Sequence, residues 1–80
     1  MTGTIASLYP AQRFGYVKTS EPITVGQRNI PAGSVIRFPA RNLKNEYINN
    51  VWAGMEVTFT IARTKKSERE FEAEEVEVAW

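Results

Sequence analysis

Cysteine and histidine are both missing from this chain of 80 residues. Without cysteine there are no disulfides and no thiolate chemistry, and without histidine the commonest general base is gone. The usual zinc sites depend on these two residue types and are excluded as well. The chain also contains no phosphate-cradling glycine motif and no paired nucleophile and base. We therefore expect a protein that is not an enzyme and that holds no metal and no cofactor.

Long apolar runs are also lacking, and the first residues, MTGTIASL, carry no basic leader. We expect neither a signal peptide nor a transmembrane helix, and no attachment to a membrane. The absence of cysteine fits a reducing, cytoplasmic location. A length of 80 residues suits a single domain over residues 1–80, with most apolar side chains sharing one core.

The net charge of +1 hides an uneven distribution along the chain. Residues 1–44 contain six Lys or Arg and one Glu, a charge of +5, whereas residues 45–80 contain four basic and eight acidic residues, a charge of −4. A basic half that folds into one face would attract phosphate groups. Ordinary surface charge is the alternative, and the charges alone do not separate the two interpretations.

Short β-type runs separated by turn residues dominate the pattern. They predict five main strands, at Thr4 to Tyr9, Phe14 to Thr19, Ser34 to Phe38, Met55 to Arg63 and about Glu70 to Trp80. In the fourth strand apolar residues alternate with polar ones, which puts one row inward and one row outward. Several short strands of this kind in a small chain favour a barrel.

The last strand alternates with one slip, because its apolar residues change parity between Ala73 and Val76. Glu74-Glu75 is therefore a predicted β-bulge, in which one extra residue restores the inward facing. A helix over Ser67 to Glu77, a segment rich in Glu, is the competing interpretation. A helix would scatter the apolar residues around its circumference, so we favour the bulged strand with its glutamates in solvent.

Two connections between the predicted strands are long. Residues 20–33 carry two prolines and two glycines, and residues 23–25 and 28–30 within them are suited to a small extra hairpin. Residues 40–54 form the other long connection. Lys65-Lys66-Ser67 is expected at the tip of the hairpin between the last two main strands, a loop that touches nucleic acid in many OB-folds.

Phe14-Gly15-Tyr16 is the most informative cluster in the chain. Strand alternation puts both rings on one face and Gly15 on the other, where a mid-strand glycine marks a bend or a close backbone approach. An exposed ring face would form a platform on which unpaired bases stack, with Arg13 and Lys18 beside it for the phosphates. Two core aromatics in a small barrel are the alternative.

Four segments, in the same order along the chain, resemble the cold-shock domain family. Gly3 to Val17 (GTIASLYPAQRFGYV) is similar to the family's start, a Gly and two apolar residues before Lys-Trp-Phe-Asn, a short turn, and Lys-Gly-Phe-Gly-Phe-Ile. Val35 to Ala40 (VIRFPA) stands where the family has Phe-Val-His-Phe-Ser-Ala. Ala53 to Ile61 (AGMEVTFTI) and Ala73 to Val76 (AEEV) are similar to its Glu-Gly-Gln-x-Val-x-Phe-x-Ile and Ala-x-Asn-Val motifs.

The resemblance implies an all-β fold, a five-stranded antiparallel OB-type β-barrel with an extended loop between its second and third strands. It implies binding of single-stranded RNA or DNA with low sequence specificity. At the matching positions it implies base-stacking rings, and at Arg37 a side chain that contacts a base or a phosphate. With the basic residues near them, the predicted nucleic-acid-binding set is Arg13, Phe14, Tyr16, Lys18, Arg37, Phe38 and Arg41.

The chain departs from the family pattern at several ring positions. Ser7 stands where the family has an exposed Trp, Leu8 where it has a Phe, and Val35 where it has an exposed Phe. These departures support a second hypothesis, a protein–protein interaction module or homodimer on the same fold, whose ancestral face has been reassigned to a protein partner.

Three further residues are candidates for additional contacts to nucleic acid. Tyr9 lies at the end of the first strand, close to the turn that leads into Phe14. Lys65 belongs to the hairpin tip described above. Trp52 is either a replacement ring or, as we favour, a lid over the open end of the barrel.

Overall fold

The computed structural model describes residues 1–63 and 71–79, and this part of the chain forms seven β-strands and three short 3-10 turns. The strands are β1 (Thr2–Tyr9), β2 (Phe14–Thr19), β3 (Ile23–Val25), β4 (Arg28–Ile30), β5 (Val35–Pro39), β6 (Glu56–Arg63) and β7 (Phe71–Val78). The 3-10 turns cover Pro10–Gln12, Ala40–Asn42 and Ile48–Asn50. In the described ranges no helix has the length and apolar character needed to span a bilayer.

Five of the strands close into a barrel in the order β1-β2-β5-β7-β6, with β6 pairing back onto β1. Four neighbouring pairs are antiparallel, but β5 and β7 run parallel. The expectation of an antiparallel barrel is therefore wrong at this one pair. Its reason is geometric: directions cannot alternate around a closed ring with an odd number of strands, so one pair must be parallel. The small barrel is consistent with an OB-like fold.

Alternation along β2 separates the inside of the barrel from the outside. Val17 and Thr19 are buried, whereas Lys18 is exposed and Phe14 and Tyr16 are half-buried. Gly15 faces inward, where an added Cβ would lie 2.8 Å from the ring of Phe38. The atoms closest to this position belong to the side chains of Phe38 and Leu8, so the close approach at Gly15 is one of side chains and not of backbone. The other buried apolar side chains of the core are Ile5, Ile23, Ile36, Leu43, Val51, Val57, Phe59, Ala73, Val76 and Val78.

The predicted bulge in the last strand is confirmed, and the helix proposed as its alternative is not present over residues 71–78. Thr58 pairs with Glu77 and Thr60 with Glu74, so two residues of β7 lie opposite one of β6. Glu75 takes a positive φ of 50° at this point. The extra residue lets both Ala73 and Val76 face the core, where each is fully buried.

The extra hairpin predicted within residues 20–33 is also confirmed. Strands β3 and β4 form a separate two-stranded sheet in which Ile23 pairs with Ile30. Ile23 is buried in the barrel core, and Val25 and Ile30 pack against it. The hairpin is therefore anchored on the barrel by its apolar side chains. The predicted tip at Lys65-Lys66-Ser67 and the strand ends at Glu70 and Trp80 lie outside the described residues.

Candidate nucleic-acid interface

Three aromatic side chains meet on the outer surface of β1 and β2. The 3-10 turn at Pro10–Gln12 folds β1 back onto β2 and puts Tyr9 directly opposite Phe14 in the strand register. The rings of Tyr9 and Phe14 stack at a centroid distance of 4.9 Å and an angle of 20°. Tyr16 meets both rings edge-on, at 6.2 Å from Tyr9 and 5.7 Å from Phe14. Such offset-stacked and edge-to-face pairs are the favoured arrangements of aromatic rings.

Arg37 completes this group from the neighbouring strand β5. It pairs with Tyr16 in the register of β2 and β5, and its guanidinium carbon lies 4.8 Å from the centroid of the Phe14 ring. Because Tyr9 comes from the strand on one side of β2 and Arg37 from the strand on the other, Phe14 lies between them. We call Tyr9, Phe14, Tyr16 and Arg37 the ring cluster.

The ring cluster is open to solvent mainly at its outer members. Tyr9 is 44% exposed and Arg37 is exposed, whereas Phe14 and Tyr16 are half-buried. Phe14 therefore supports the two flat groups on either side of it. The surfaces available to a planar ligand belong to Tyr9, Tyr16 and the guanidinium plane of Arg37.

Two further cations lie next to the ring cluster. Lys18 is exposed on the same outward row of β2 as Phe14 and Tyr16, opposite Val35 of β5. Arg13 is exposed in the turn immediately before Phe14 and adopts a left-handed backbone conformation with φ of 60°. Neither side chain forms an ion pair with a described residue. Both charges are thus free to meet an anion.

The remaining predicted cation, Arg41, belongs to the 3-10 turn Ala40–Asn42 and lies beside an acid. Its side chain is 77% exposed and approaches Oε1 of Glu72 to 3.8 Å. Lys44 is paired in the same way with Glu77, at 3.2 Å. Arg41 and Lys44 line an open groove of about 950 Å³ between the β1–β2 turn and residues 40–49, together with Arg13 and Tyr47. The acids partly offset the positive charge of this groove.

Phe38 is not part of the surface that the resemblance implied. Its side chain is fully buried, because it follows the inward row of β5 and packs over Gly15. A ring in this position is a core residue and offers no face to a base.

Of the three additional candidates, Trp52 and Lys65 are not shown in contact with the predicted rings, whereas Tyr9 is. Trp52 is 60% exposed, so it does not close the barrel as a lid, and the buried neighbour Val51 fills the core there. Lys65 lies outside the described residues. Of the three additional residues, the structure therefore brings Tyr9 into contact with the predicted rings.

The charges divide between the two sides of the barrel. The exposed cations Arg13, Lys18 and Arg37 belong to β2, β5 and the turn before β2, while Glu56 and Glu74 are exposed on β6 and β7. In the described ranges no three acidic side chains come together as a metal site would require. The ring cluster therefore lies on the basic side.

Sequence reasoning gave two residues of this surface too little weight. Tyr9 was ranked as an additional contact although the four-residue turn between it and Phe14 makes the two direct neighbours across strands. Glu72 was assigned to solvent with the other glutamates. Its place beside Arg37 follows from the parallel pairing of β5 and β7, for which a strand pattern gives no signal.

In comparisons with known proteins, no protein-family model and no curated protein matches this chain.

Proposed function

We propose that this protein binds single-stranded RNA or DNA, as a cold-shock-like OB-fold module with low overall sequence specificity. Bases stack on the ring cluster, and Arg13 and Lys18 neutralise the neighbouring phosphates. The observation that carries the proposal is the column of Tyr9, Phe14 and Arg37 on the basic side of the barrel, whose outer members Tyr9 and Arg37 are exposed. In this proposal the protein acts in the cytoplasm as a binding module, without catalysis or a cofactor.

Stacking explains why such a column suits unpaired bases. Every base has a π-face, so an aromatic ring binds it whatever the sequence, and each such contact is worth roughly 1–3 kcal/mol. A guanidinium plane stacks on a base in the same way and keeps its charge for a phosphate. Tyr9 and Arg37 are thus the outer stacking surfaces, Tyr16 borders them, and Phe14 holds them in position.

The test is a titration of isotope-labelled protein with short single-stranded DNA and RNA mixtures, followed through backbone amide shifts at low salt. We expect salt-sensitive shifts centred on Tyr9, Phe14, Tyr16 and Arg37. Tyr9→Leu keeps an apolar side chain but removes the π-face, and we expect it to weaken binding by roughly tenfold. Tyr9→Phe keeps the ring and serves as the matched control, with affinity close to that of the original chain.

Arg37 allows a second matched comparison. Arg37→Lys keeps the charge and removes the flat guanidinium, so a stacking role predicts a loss of affinity nearly as large as that of Arg37→Ala. Shifts that are absent at low salt with both nucleic acids would overturn the proposal. Equal affinity of Tyr9→Leu and Tyr9→Phe would overturn the stacking mechanism, since only the first lacks a ring.

A protein-interaction module is the second candidate, and two features of the same face favour it. Ser7 and Val35 offer no ring there, and Val35 is 54% exposed as an apolar side chain. Capture of partners from cells with and without RNase treatment distinguishes the candidates. A partner that is retained after RNase treatment and lost with a Val35→Ser substitution would favour the protein module.

A further inference from the structure

The inserted hairpin β3–β4 creates a second recess next to the ring cluster. This recess has a volume of about 420 Å³ and opens between the hairpin and the barrel. The residues that line it include Tyr16, Ile30, Val35, Arg37, Phe71 and Glu72. We call it the hairpin groove.

Both walls of the hairpin groove belong to the packed structure. On the hairpin side, Ile23 is 4% exposed in the common core, and the guanidinium carbon of Arg28 lies 5.5 Å from the centroid of the Phe71 ring. On the barrel side, Tyr16 and Arg37 line the groove and also belong to the ring cluster. The groove and the ring cluster are therefore continuous through Tyr16 and Arg37, and the volume of the groove is within the range of small-ligand pockets.

Glu72 is the unusual member of this lining, because it puts a carboxylate beside a surface suited to phosphates. Its side chain is 19% exposed, and Oε1 accepts a hydrogen bond from Asn42 Nδ2 at 3.2 Å and lies 3.8 Å from the Arg41 guanidinium. Both contacts fall on Oε1, so Oε2 has no hydrogen-bond partner among the described residues. The carboxylate is thus held from one side while it retains acceptor capacity.

The hydrogen-bonding pattern of the four bases decides which of them such an acceptor favours. A carboxylate only accepts, and guanine presents two adjacent donors, N1–H and the 2-amino group, on its Watson–Crick edge. Thymine and uracil present one N–H between two carbonyl oxygens, and these oxygens repel a carboxylate that approaches the N–H. Adenine and cytosine each present one amino group beside an acceptor nitrogen.

We propose that the hairpin groove is a base-selective subsite that takes one guanine, with Glu72 accepting from N1–H and the 2-amino group. The subsite rests on the proposed single-strand binding and gives it a preference at one position. The remaining nucleotides are bound by stacking, which tolerates any base.

The experiment compares three dye-labelled DNA heptamers by fluorescence anisotropy: all thymidine, the same with one central deoxyguanosine, and the same with one central deoxyinosine. Inosine keeps the purine rings and N1–H but lacks the 2-amino group, so it separates hydrogen bonding from stacking. We expect the guanine heptamer to bind roughly tenfold more tightly than the thymidine heptamer, with the inosine heptamer between them.

Two single substitutions assign the preference to Glu72. Glu72→Gln keeps an oxygen that can accept from Asn42 and removes the charge, and we expect it to abolish the difference between guanine and inosine. Glu74→Gln removes the same charge from an exposed site on the same strand, and we expect the difference to remain. Amide spectra of both variants verify that the barrel is intact.

The outcomes separate the subsite from the function on which it rests. Equal binding of all three heptamers would overturn the guanine subsite and leave single-strand binding in place. A guanine preference that persists in Glu72→Gln would overturn the role of Glu72. Failure of every heptamer to bind at low salt would overturn both proposals together.

Discussion

Arg13 combines a functional charge with backbone strain. It has φ of 60° in the turn before Phe14, a conformation that costs an L-residue roughly 1–2 kcal/mol. The family that the chain resembles has glycine at this position, where the same conformation carries no steric cost. The side chain therefore occupies this turn at some expense in stability and adds a cation next to the ring cluster.

Replacement of Arg13 by glycine should move stability and binding in opposite directions. We expect Arg13→Gly to raise the free energy of unfolding by up to about 1 kcal/mol, because the relief of strain exceeds the added chain entropy. We expect its affinity for single-stranded DNA to fall, because one phosphate contact is lost. Urea denaturation measures the first quantity and anisotropy titration the second.

Arg13→Gln is the matched control, because it removes the charge and keeps a side chain in the strained conformation. Its affinity should match that of Arg13→Gly, and its stability should match that of the original chain. Loss of affinity in the glycine variant alone would contradict the role of the charge and assign the effect to the shape of the turn.

At the level of single residues, sequence reasoning identified most of the candidate surface. Phe14, Tyr16, Lys18 and Arg37 lie on one face because strands alternate with a period of two, and this period is visible in the sequence. The same period puts Phe38 on the opposite face from its neighbour Arg37, so assigning both to one surface was an error that the strand pattern could have prevented. What the sequence does not show is the room for this ring, which Gly15 leaves across the strand pair in the assembled barrel.

Among the elements, the strands and the bulge of β7 were predictable because both follow from local parity. The closure of a five-stranded ring requires one parallel pair, but the strand pattern does not show that the pair is β5 and β7. The position of Glu72 was missed for the same reason, because its neighbour Arg37 is distant in sequence and is brought beside it only by this pairing. A second bulge, at Ala6 between Ile5 and Ser7 in β1, was missed although Ile5 and Leu8, which have opposite parity, both face the core.

The bulge of β7 provides a test at the element scale. Glu75 has φ of 50°, whereas its neighbour Glu74 does not have a positive φ and pairs with Thr60. We expect Glu75→Gly to stabilise the fold by about 0.5–1 kcal/mol, because glycine adopts this conformation without strain. Glu74→Gly loses the same charge but should destabilise by about 1 kcal/mol, because glycine weakens a regular strand.

Thermal and urea unfolding of this pair of variants measure the difference directly. The two shifts should have opposite signs, which a general effect of removing a glutamate cannot produce. Destabilisation by both substitutions would mean that the Glu75 side chain contributes more than its backbone conformation costs.

At the scale of the whole molecule, the fold converts a charge gradient along the chain into two sides of a barrel. The basic first half supplies β1, β2 and β5, which are neighbours in the ring, and the acidic second half supplies β6 and β7. A net charge of +1 therefore understates the positive field at the ring cluster. This separation favours approach of a polyanion to one side and disfavours it on the other.

Salt dependence tests whether this positive side neutralises phosphates. Arg13, Lys18 and Arg37 would meet three phosphates, and a single strand releases about 0.7 counterions for each, so log Kobs should fall against log salt with a slope of about −2. A fourfold increase in salt then lowers the affinity roughly twentyfold.

Lys18→Gln should make this slope shallower by about 0.7, because one phosphate contact is lost. Lys44→Gln should leave it unchanged, since Lys44 is already paired with Glu77 at 3.2 Å. An equal effect of the two substitutions would show that binding responds to net charge alone, and the cations beside the rings would then have no special role.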